Sequence, residues 1–157
     1  MKFSASDLII NPDGSVYHLH LLPSMVSDKI VVVGDPGRVA KVSRHFSKIE
    51  CKVSRREFIT HTGEYNGKRI SVISSGIGTD NVEIVLTELD ALFNTDLLRR
   101  EPKKKRRSFS MVRAGTSGSL QPDIEVGSLL WSQMAIGMDN LASVSYTHLR
   151  AHETLRY

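Results

Sequence analysis

This sequence has one cysteine (Cys51), one tryptophan and five prolines in 157 residues. A single thiol cannot close a disulfide within the chain, and such sparse use fits a reducing compartment. No apolar run approaches the ~20 residues that a membrane-spanning helix needs. The opening Met1-Lys2-Phe3-Ser4-Ala5-Ser6-Asp7 lacks the apolar stretch of a secretory signal. The expected location is therefore cytoplasmic. There is also no Gly-x-Ser-x-Gly nucleophile elbow, no cysteine pair and no histidine cluster at metal-ligand spacing. Serine-hydrolase, dithiol and zinc chemistry thus lose their usual sequence signals. No repeat of solenoid period is present.

The chain does have enough apolar sequence for one real core. At 40% apolar and 24% charged residues it reads as an ordinary globular domain, too short for two comfortable ones. The formal charge of +4 is concentrated in Lys103-Lys104-Lys105-Arg106-Arg107, without which the chain would be near neutral. Such a run attracts polyphosphate, which suggests nucleic-acid binding. No aromatic residue is interleaved to stack on bases, so a solvated loop is the plainer reading.

Two glycine-and-arginine segments carry the chemistry. Gly34-Asp35-Pro36-Gly37-Arg38 follows the β-branched run Ile30-Val31-Val32-Val33, and Arg113-Ala114-Gly115-Thr116-Ser117-Gly118 follows Phe109-Ser110-Met111-Val112. Open α/β sheets bind ligands beyond the carboxyl ends of their strands. Glycine lets backbone N–H groups approach an anion, and arginine offers a planar fork matched to phosphate oxygens. The first candidates are Arg38 and Arg113, with the Gly34 N–H and the Thr116 hydroxyl; Arg56 is a third cation.

Periodicity places these segments in an α/β framework. Lys29 to Val33 reads as a strand covered on both faces. Pro36 suits a first helical turn, and Val39, Val42 and Phe46 recur at helical spacing. Glu57 to Tyr65, the tight turn Asn66-Gly67 and Arg69 to Ser74 predict a hairpin, hence a mixed sheet. After Gly76-Ile77-Gly78, a cap at Thr79, Asp80 or Asn81 opens a helix with Val82, Val85, Leu86, Leu89, Leu92 and Phe93 on one face. The basic loop follows, then a strand at Phe109 to Val112, a turn at Gln121-Pro122-Asp123 and a strand from Ser128 to about Ile136.

Four motifs in this order resemble the uridine phosphorylases, of the hexameric branch of the nucleoside phosphorylases. They are Gly34-Asp35-Pro36-Gly37-Arg38, Ser54-Arg55-Arg56-Glu57-Phe58, Ser75-Gly76-Ile77-Gly78 and Arg113 through Gln121. The resemblance runs from about Asn11 to Asn140. It implies a three-layer α/β fold with a central mixed sheet, of which this chain is the N-terminal portion. It also implies phosphorolysis of uridine to uracil and ribose 1-phosphate in pyrimidine salvage, the work of a pentosyltransferase. Gly34, Arg38, Arg113 and Thr116 match phosphate ligands within one subunit, Arg113 being the catalytic one, and Arg56 matches an arginine lent by the neighbour. His18 matches a histidine reaching across the same interface towards ribose, while Thr116, Ser117 and Gly118 match positions along the nucleoside. Glu57, the Ile77 carbonyl and Asn81 match a site where some members hold a monovalent cation, K+, between subunits. No other cofactor is implied, inorganic phosphate being a co-substrate. The partner implied is a second copy of the chain in a dimer-built hexamer, with no membrane or nucleic acid.

The resemblance stops near residue 143. The ending from Ser145 to Thr154 resembles a translated sequencing adapter, so residues 1–143 read as part of one domain and residues 144–157 as foreign to it. The glutamine and arginine that read uracil, and the Met-Glu segment that holds ribose hydroxyls, have no match here. A chain of this extent is expected to expose Leu129, Leu130 and Trp131, and to be unstable or inactive alone. The alternatives are a nucleosidase or a purine-preferring phosphorylase of the same fold, an inactive partner subunit, and a nucleic-acid binder acting through Lys103 to Arg107.

Overall fold

The computed structural model describes residues 2–136, which fall into two compact units, one up to Gly115 and one from Thr116 onward. In the first unit the elements run β1 (Lys29–Val33), α1 (Gly37–Ser43), β2 (Lys48–Arg55), β3 (Phe58–Tyr65), β4 (Lys68–Ser74), α2 (Thr79–Asn94), β5 (Thr95–Asp96), β6 (Glu101–Pro102) and β7 (Ser110–Ala114). The main sheet has the order β2-β3-β4-β1-β7, and β5 pairs with β6 as a separate two-stranded piece. β1 is parallel to both β4 and β7, whereas β2-β3 and β3-β4 are antiparallel. The mixed sheet expected from the hairpin is therefore present.

Strand alternation sorts the core onto two faces. Ile30 and Val32 of β1, Phe58 of β3 and Ile73 of β4 join Val85, Leu89, Leu92 and Phe93 of α2. Val31 and Val33, Ile59 and Val72 point the other way, against Val39 and Val42 of α1. The sheet is thus covered by α1 on one face and by α2 on the other. The segment before β1 adds buried Val16, Leu19, Leu21 and Val26 to the α2 side.

Several local expectations need correction. The reading along the chain assigns no element to Lys48–Arg55, yet that segment is a full strand with alternating burial. Its ladder slips between Ile49 and Cys51, next to Gly63, where an added Cβ would stand 2.2 Å from the Lys48 carbonyl oxygen. Only glycine lets the bulged strand come so close. Helix α2 starts at the predicted place, but its N-cap is Gly78, at φ 100°, with no side-chain cap from Thr79, Asp80 or Asn81. Leu86, expected on the apolar face, is 42% exposed, and the buried set includes Glu88 instead.

In the second unit, residues 122–123 form the predicted turn. Residues 128–136 form no strand, contrary to expectation, because no neighbouring strand among the described residues pairs with them. Leu129, Leu130 and Trp131 are exposed there, as expected. The family-like ending near Asn140 and the tail 144–157 lie outside the described residues. No helix among the described residues is long and apolar enough to cross a membrane.

Candidate active site

Three parallel strand ends build the site. Val33 of β1 stands opposite Ser74 of β4 and Ala114 of β7. The chain leaves β1 at the buried Gly34, leaves β4 at Ser75-Gly76, and ends β7 with Arg113 and Ala114. Ser75 N–H donates to the Val33 carbonyl at 2.8 Å, which ties two of these exits together. A cavity of about 700 Å³ opens beyond them, lined by Gly34, Arg38, Glu57, Gly76, Asn81 and Arg113 among others. This is the crevice in which α/β sheets bind ligands.

Within it two cations converge. Arg38, one residue into α1, brings Nη2 to 3.4 Å from the point where a Cβ on Gly34 would stand. Arg113 brings its Nη2 to 3.9 Å from the same point. Arg38 is steadied by Nη1, which donates to the Ala114 carbonyl at 3.4 Å. Arg113 folds back over its own strand end, and a Cβ on Gly115 would lie 2.5 Å from its Nη1. Among the described residues neither guanidinium is paired with a carboxylate. Two like charges aimed at one backbone glycine repel each other, and an anion between them reverses the sign of that interaction. Phosphate suits both forks.

The loop from Asp35 to Gly37 shapes the entrance. Asp35 Oδ1 accepts the Gly37 N–H at 2.8 Å, which turns the chain into α1 and aims Arg38 back at the strand ends. On the opposite wall, Gly76 has φ 68°, and a Cβ there would meet Glu57 Cγ at 2.8 Å and Asn81 Nδ2 at 3.0 Å. Glu57 and Asn81 thus close over this glycine, and Asn81 Nδ2 donates to the Ile77 carbonyl at 3.0 Å. Glu57, Ile77 and Asn81 lie together on this wall, and the group is rich in oxygen, which suits a hard monovalent cation. The amide nitrogen, however, is the end of Asn81 that faces the Ile77 oxygen. Among the described residues no group of three or more His, Cys, Asp and Glu could hold a metal.

Arg56 and His18 are placed elsewhere. Arg56 sits in the two-residue turn between β2 and β3, at φ 53°, and does not line the cavity with Arg38 and Arg113. Its guanidinium lies 5.9 Å from the centre of the Tyr17 ring. Tyr17 in turn meets the His18 ring edge to face at 4.8 Å. Arg56 and His18 therefore share one outward patch. Thr116, Ser117 and Gly118 belong to the second unit, where Ser117 Oγ donates to the Gly118 carbonyl at 3.1 Å.

Reasoning from sequence missed Glu88. Only 6% exposed on α2, it accepts the backbone N–H groups of His18 and Leu19 and contacts His18 Nδ1 at 2.7 Å. A charged residue at a position of α2 that faces the core was the available signal.

The basic run also has a structural task. Lys103 Nζ donates to the Leu92 and Phe93 carbonyls at 3.3 and 3.0 Å, in the last turn of α2. Arg107 lies over the Phe93 ring at 5.6 Å, and its N–H donates to Asn94 Oδ1 at 2.7 Å. The run is a largely exposed loop, as the plainer reading expected, but it joins strands β6 and β7 rather than helix to strand, and it is anchored at Lys103 and Arg107.

Comparison with known proteins identifies the family. The family described as the Phosphorylase superfamily matches residues 28–153. The chain is 31% identical over 138 residues to a uridine phosphorylase of Thermococcus kodakarensis, covering 88% of this chain and 45% of that one. Its fold is similar to the crystal structure of a Trypanosoma brucei nucleoside phosphorylase described as showing uridine phosphorylase activity. There the TM-score is 0.68 and the identity 36%, over 76% of this chain and 41% of that chain. A purine nucleoside phosphorylase of Toxoplasma gondii, in complex with immucillin-H, is similar at a TM-score of 0.58 and 28% identity, over 73% and 40% of the two chains. The chain thus spans less than half the length of these relatives.

Proposed function

This chain belongs to the phosphorylase superfamily, and we propose that it supplies the phosphate-binding half of an enzyme that phosphorolyses uridine. The observation that carries this reading is the convergence of Arg38 and Arg113 on Gly34, with no carboxylate between them among the described residues. In the proposed reaction a phosphate oxygen forms a bond to the anomeric carbon of ribose. The bond from that carbon to the base breaks, its electron pair leaves with the base, and the base takes up a proton to give uracil beside ribose 1-phosphate. Phosphate is itself the nucleophile, so the protein's task is to hold it below the sugar and to fix both reactants. Arg38 and the Gly34 N–H position it. Arg113 is the catalytic residue proposed to neutralise the attacking group as the sugar gains oxocarbenium character.

Arg56 and His18 are proposed to act in the site of a neighbouring copy. Their placement together on an outward patch, away from Arg38 and Arg113, supports that reading. Ser117 and Gly118 are proposed to lie along the nucleoside. The assembly is proposed to be a homo-oligomer built from dimers, a hexamer, working in pyrimidine salvage in the cytoplasm. Glu57, the Ile77 carbonyl and Asn81 are the proposed holders of a K+ ion, whose role when bound would be to tie subunits together by charge.

Uridine is favoured over purine nucleosides because the uridine phosphorylases above are more similar to this chain, at 31% and 36% identity against 28%. A nucleosidase is disfavoured, since water as the attacking group gives no reason to aim two arginines at one point. The test is product analysis with uridine in the presence and absence of inorganic phosphate. Ribose 1-phosphate that forms only with phosphate supports the reading; free ribose overturns it. Because the chain is shorter than its relatives, phosphate binding is followed alongside by ³¹P NMR. Arg38→Ala and Arg113→Ala are each expected to weaken it ~10- to 100-fold, the loss of a charge-assisted hydrogen bond.

A further inference from the structure

Glu88 is a carboxyl group surrounded by donors. Its Oε1 is 2.9 Å from the His18 backbone nitrogen and 2.7 Å from His18 Nδ1. Its Oε2 is 3.1 Å from the same backbone nitrogen and 2.8 Å from that of Leu19. The side chain is 9% exposed against 28% for His18. Burying a carboxylate is costly unless its lone pairs are filled, and here both oxygens receive N–H groups. Three backbone and ring nitrogens converge on the two oxygens, and an ionised Glu88 accepts from all of them when His18 Nδ1 carries the hydrogen.

We propose that Glu88 is a positioning residue that holds the segment 17–19 and locks His18 with its proton on Nδ1, presenting a bare Nε2 as acceptor for an alcohol hydroxyl. The contacts on both oxygens also fix where the ring points, because the backbone of His18 and its side chain are held by one group. Tyr17 packs edge to face on the ring and limits its rotation. A neutral imidazole fixed in this way has one acceptor and no donor left, so it selects a group that donates. A sugar hydroxyl is such a group, whereas a carboxylate, lacking a proton, is refused. The identity of that hydroxyl as one of ribose rests on the nucleoside reading above. The placement of the proton does not.

The experiment is ¹⁵N NMR of the full chain at pH 8 with labelled histidine, the His18 signals being assigned by His18→Gln. The expected spectrum shows Nδ1 protonated and Nε2 bare. A protonated Nε2, in either the neutral or the charged ring, overturns the proposal. Glu88→Gln is expected to shift His18 towards the Nε2–H form; an unchanged tautomer in a folded Glu88→Gln variant also overturns it. Should that variant fail to fold, the wild-type spectrum still decides, and a surface pair supplies a second reading. In His18→Gln the side-chain amide reaches the Nε2 position and can offer an acceptor, while in His18→Asn it keeps only the donor towards Glu88. Uridine binding is expected to fall about tenfold more in the asparagine variant, the worth of one hydrogen bond. Equal losses overturn the acceptor role. Uridine binding in neither the wild type nor the variants, with a bare Nε2 in the spectrum, counts against nucleoside binding by this chain alone and leaves the role of Glu88 supported.

Discussion

The Arg113 guanidinium ends 3.9 Å from the point where a side chain on Gly34 would begin. The two residues are 79 positions apart in the chain, and they meet because β7 pairs in parallel with β1, Val32 opposite Arg113 and Val33 opposite Ala114. Parallel neighbours end at the same edge of a sheet, so the residues that leave each strand are delivered to one crevice. Gly34 keeps that crevice open by having nothing to fill it.

Gly34→Ala tests this directly. The new methyl would stand 3.4 Å from Arg38 Nη2 and 3.6 Å from the Gly76 carbonyl oxygen, tight but without severe overlap. Stability is expected to change by less than ~1 kcal/mol, as for alanine at a compatible backbone position. Phosphate binding by titration calorimetry is expected to weaken about tenfold, since the methyl occupies the place of an oxygen. Unchanged phosphate affinity would remove the anion from this cradle.

Gly63→Ala makes the opposite case. A Cβ there would lie 2.2 Å from the Lys48 carbonyl oxygen and 2.7 Å from Phe46 Cδ2, and the backbone atom cannot swing aside. The expected cost is about 3 kcal/mol, at the upper end of overpacking effects. The unfolding midpoint in urea reads it, and a midpoint equal to wild type would mean that the β2 bulge can relax.

The buried His61 predicts an acid limit. Burial, and secondarily the charge of Lys52, hold its imidazole below the ordinary histidine pKa, while its Nδ1 lies 2.7 Å from Ser43 Oγ. The unfolded chain therefore binds the proton first. Its contribution is full above the unfolded value near 6.5 and is lost as pH falls from there towards the lower folded value. His61→Asn places an amide nitrogen where Nδ1 stood and removes the titration. The slope of unfolding free energy against pH below ~6.5 is expected to be smaller in this variant, and an identical slope would assign the acid limit to another group.

The basic run separates into one structural residue and its solvated neighbours. Lys103→Met removes two hydrogen bonds to the last carbonyls of α2 and is expected to cost about 0.5–1 kcal/mol. Neutralising Lys104, Lys105 and Arg106, all exposed, is expected to stay within ~0.5 kcal/mol of wild type. Urea unfolding of both variants checks the contrast. Equal effects would mean that net charge, not the helix cap, sets the difference.

Much of this framework was legible in the chain itself. The β-branched run 29–33 could only be a strand covered on both sides, and Asn66-Gly67 marked the β3-β4 hairpin because few other residues tolerate that turn. The long helix followed from its spacing of apolar residues. β2 was missed although Ile49, Cys51 and Val53 alternate with charged or polar residues, because its inner face is only half-buried and its apolar residues are few. The strand expected at 128–136 failed for the reverse reason: an apolar run becomes a strand only where a neighbour supplies hydrogen bonds, and none does among the described residues.

The candidate site divides along the same line. Local sequence determined which residues could bind an anion, since glycine beside arginine after a buried strand is a matter of neighbouring positions. It also determined the small turns that aim them, such as Asp35 onto the Gly37 N–H. Tertiary structure alone decided which of those residues meet. Parallel pairing of β1, β4 and β7 brought Gly34, Gly76 and Arg113 to one edge, and antiparallel pairing sent Arg56 to a turn beside Tyr17. The grip of Glu88 on His18 spans 70 residues and depends on the packing of α2. Spacing along a chain cannot encode such a contact, because the hydrogen bond exists only after the helix has buried its apolar face.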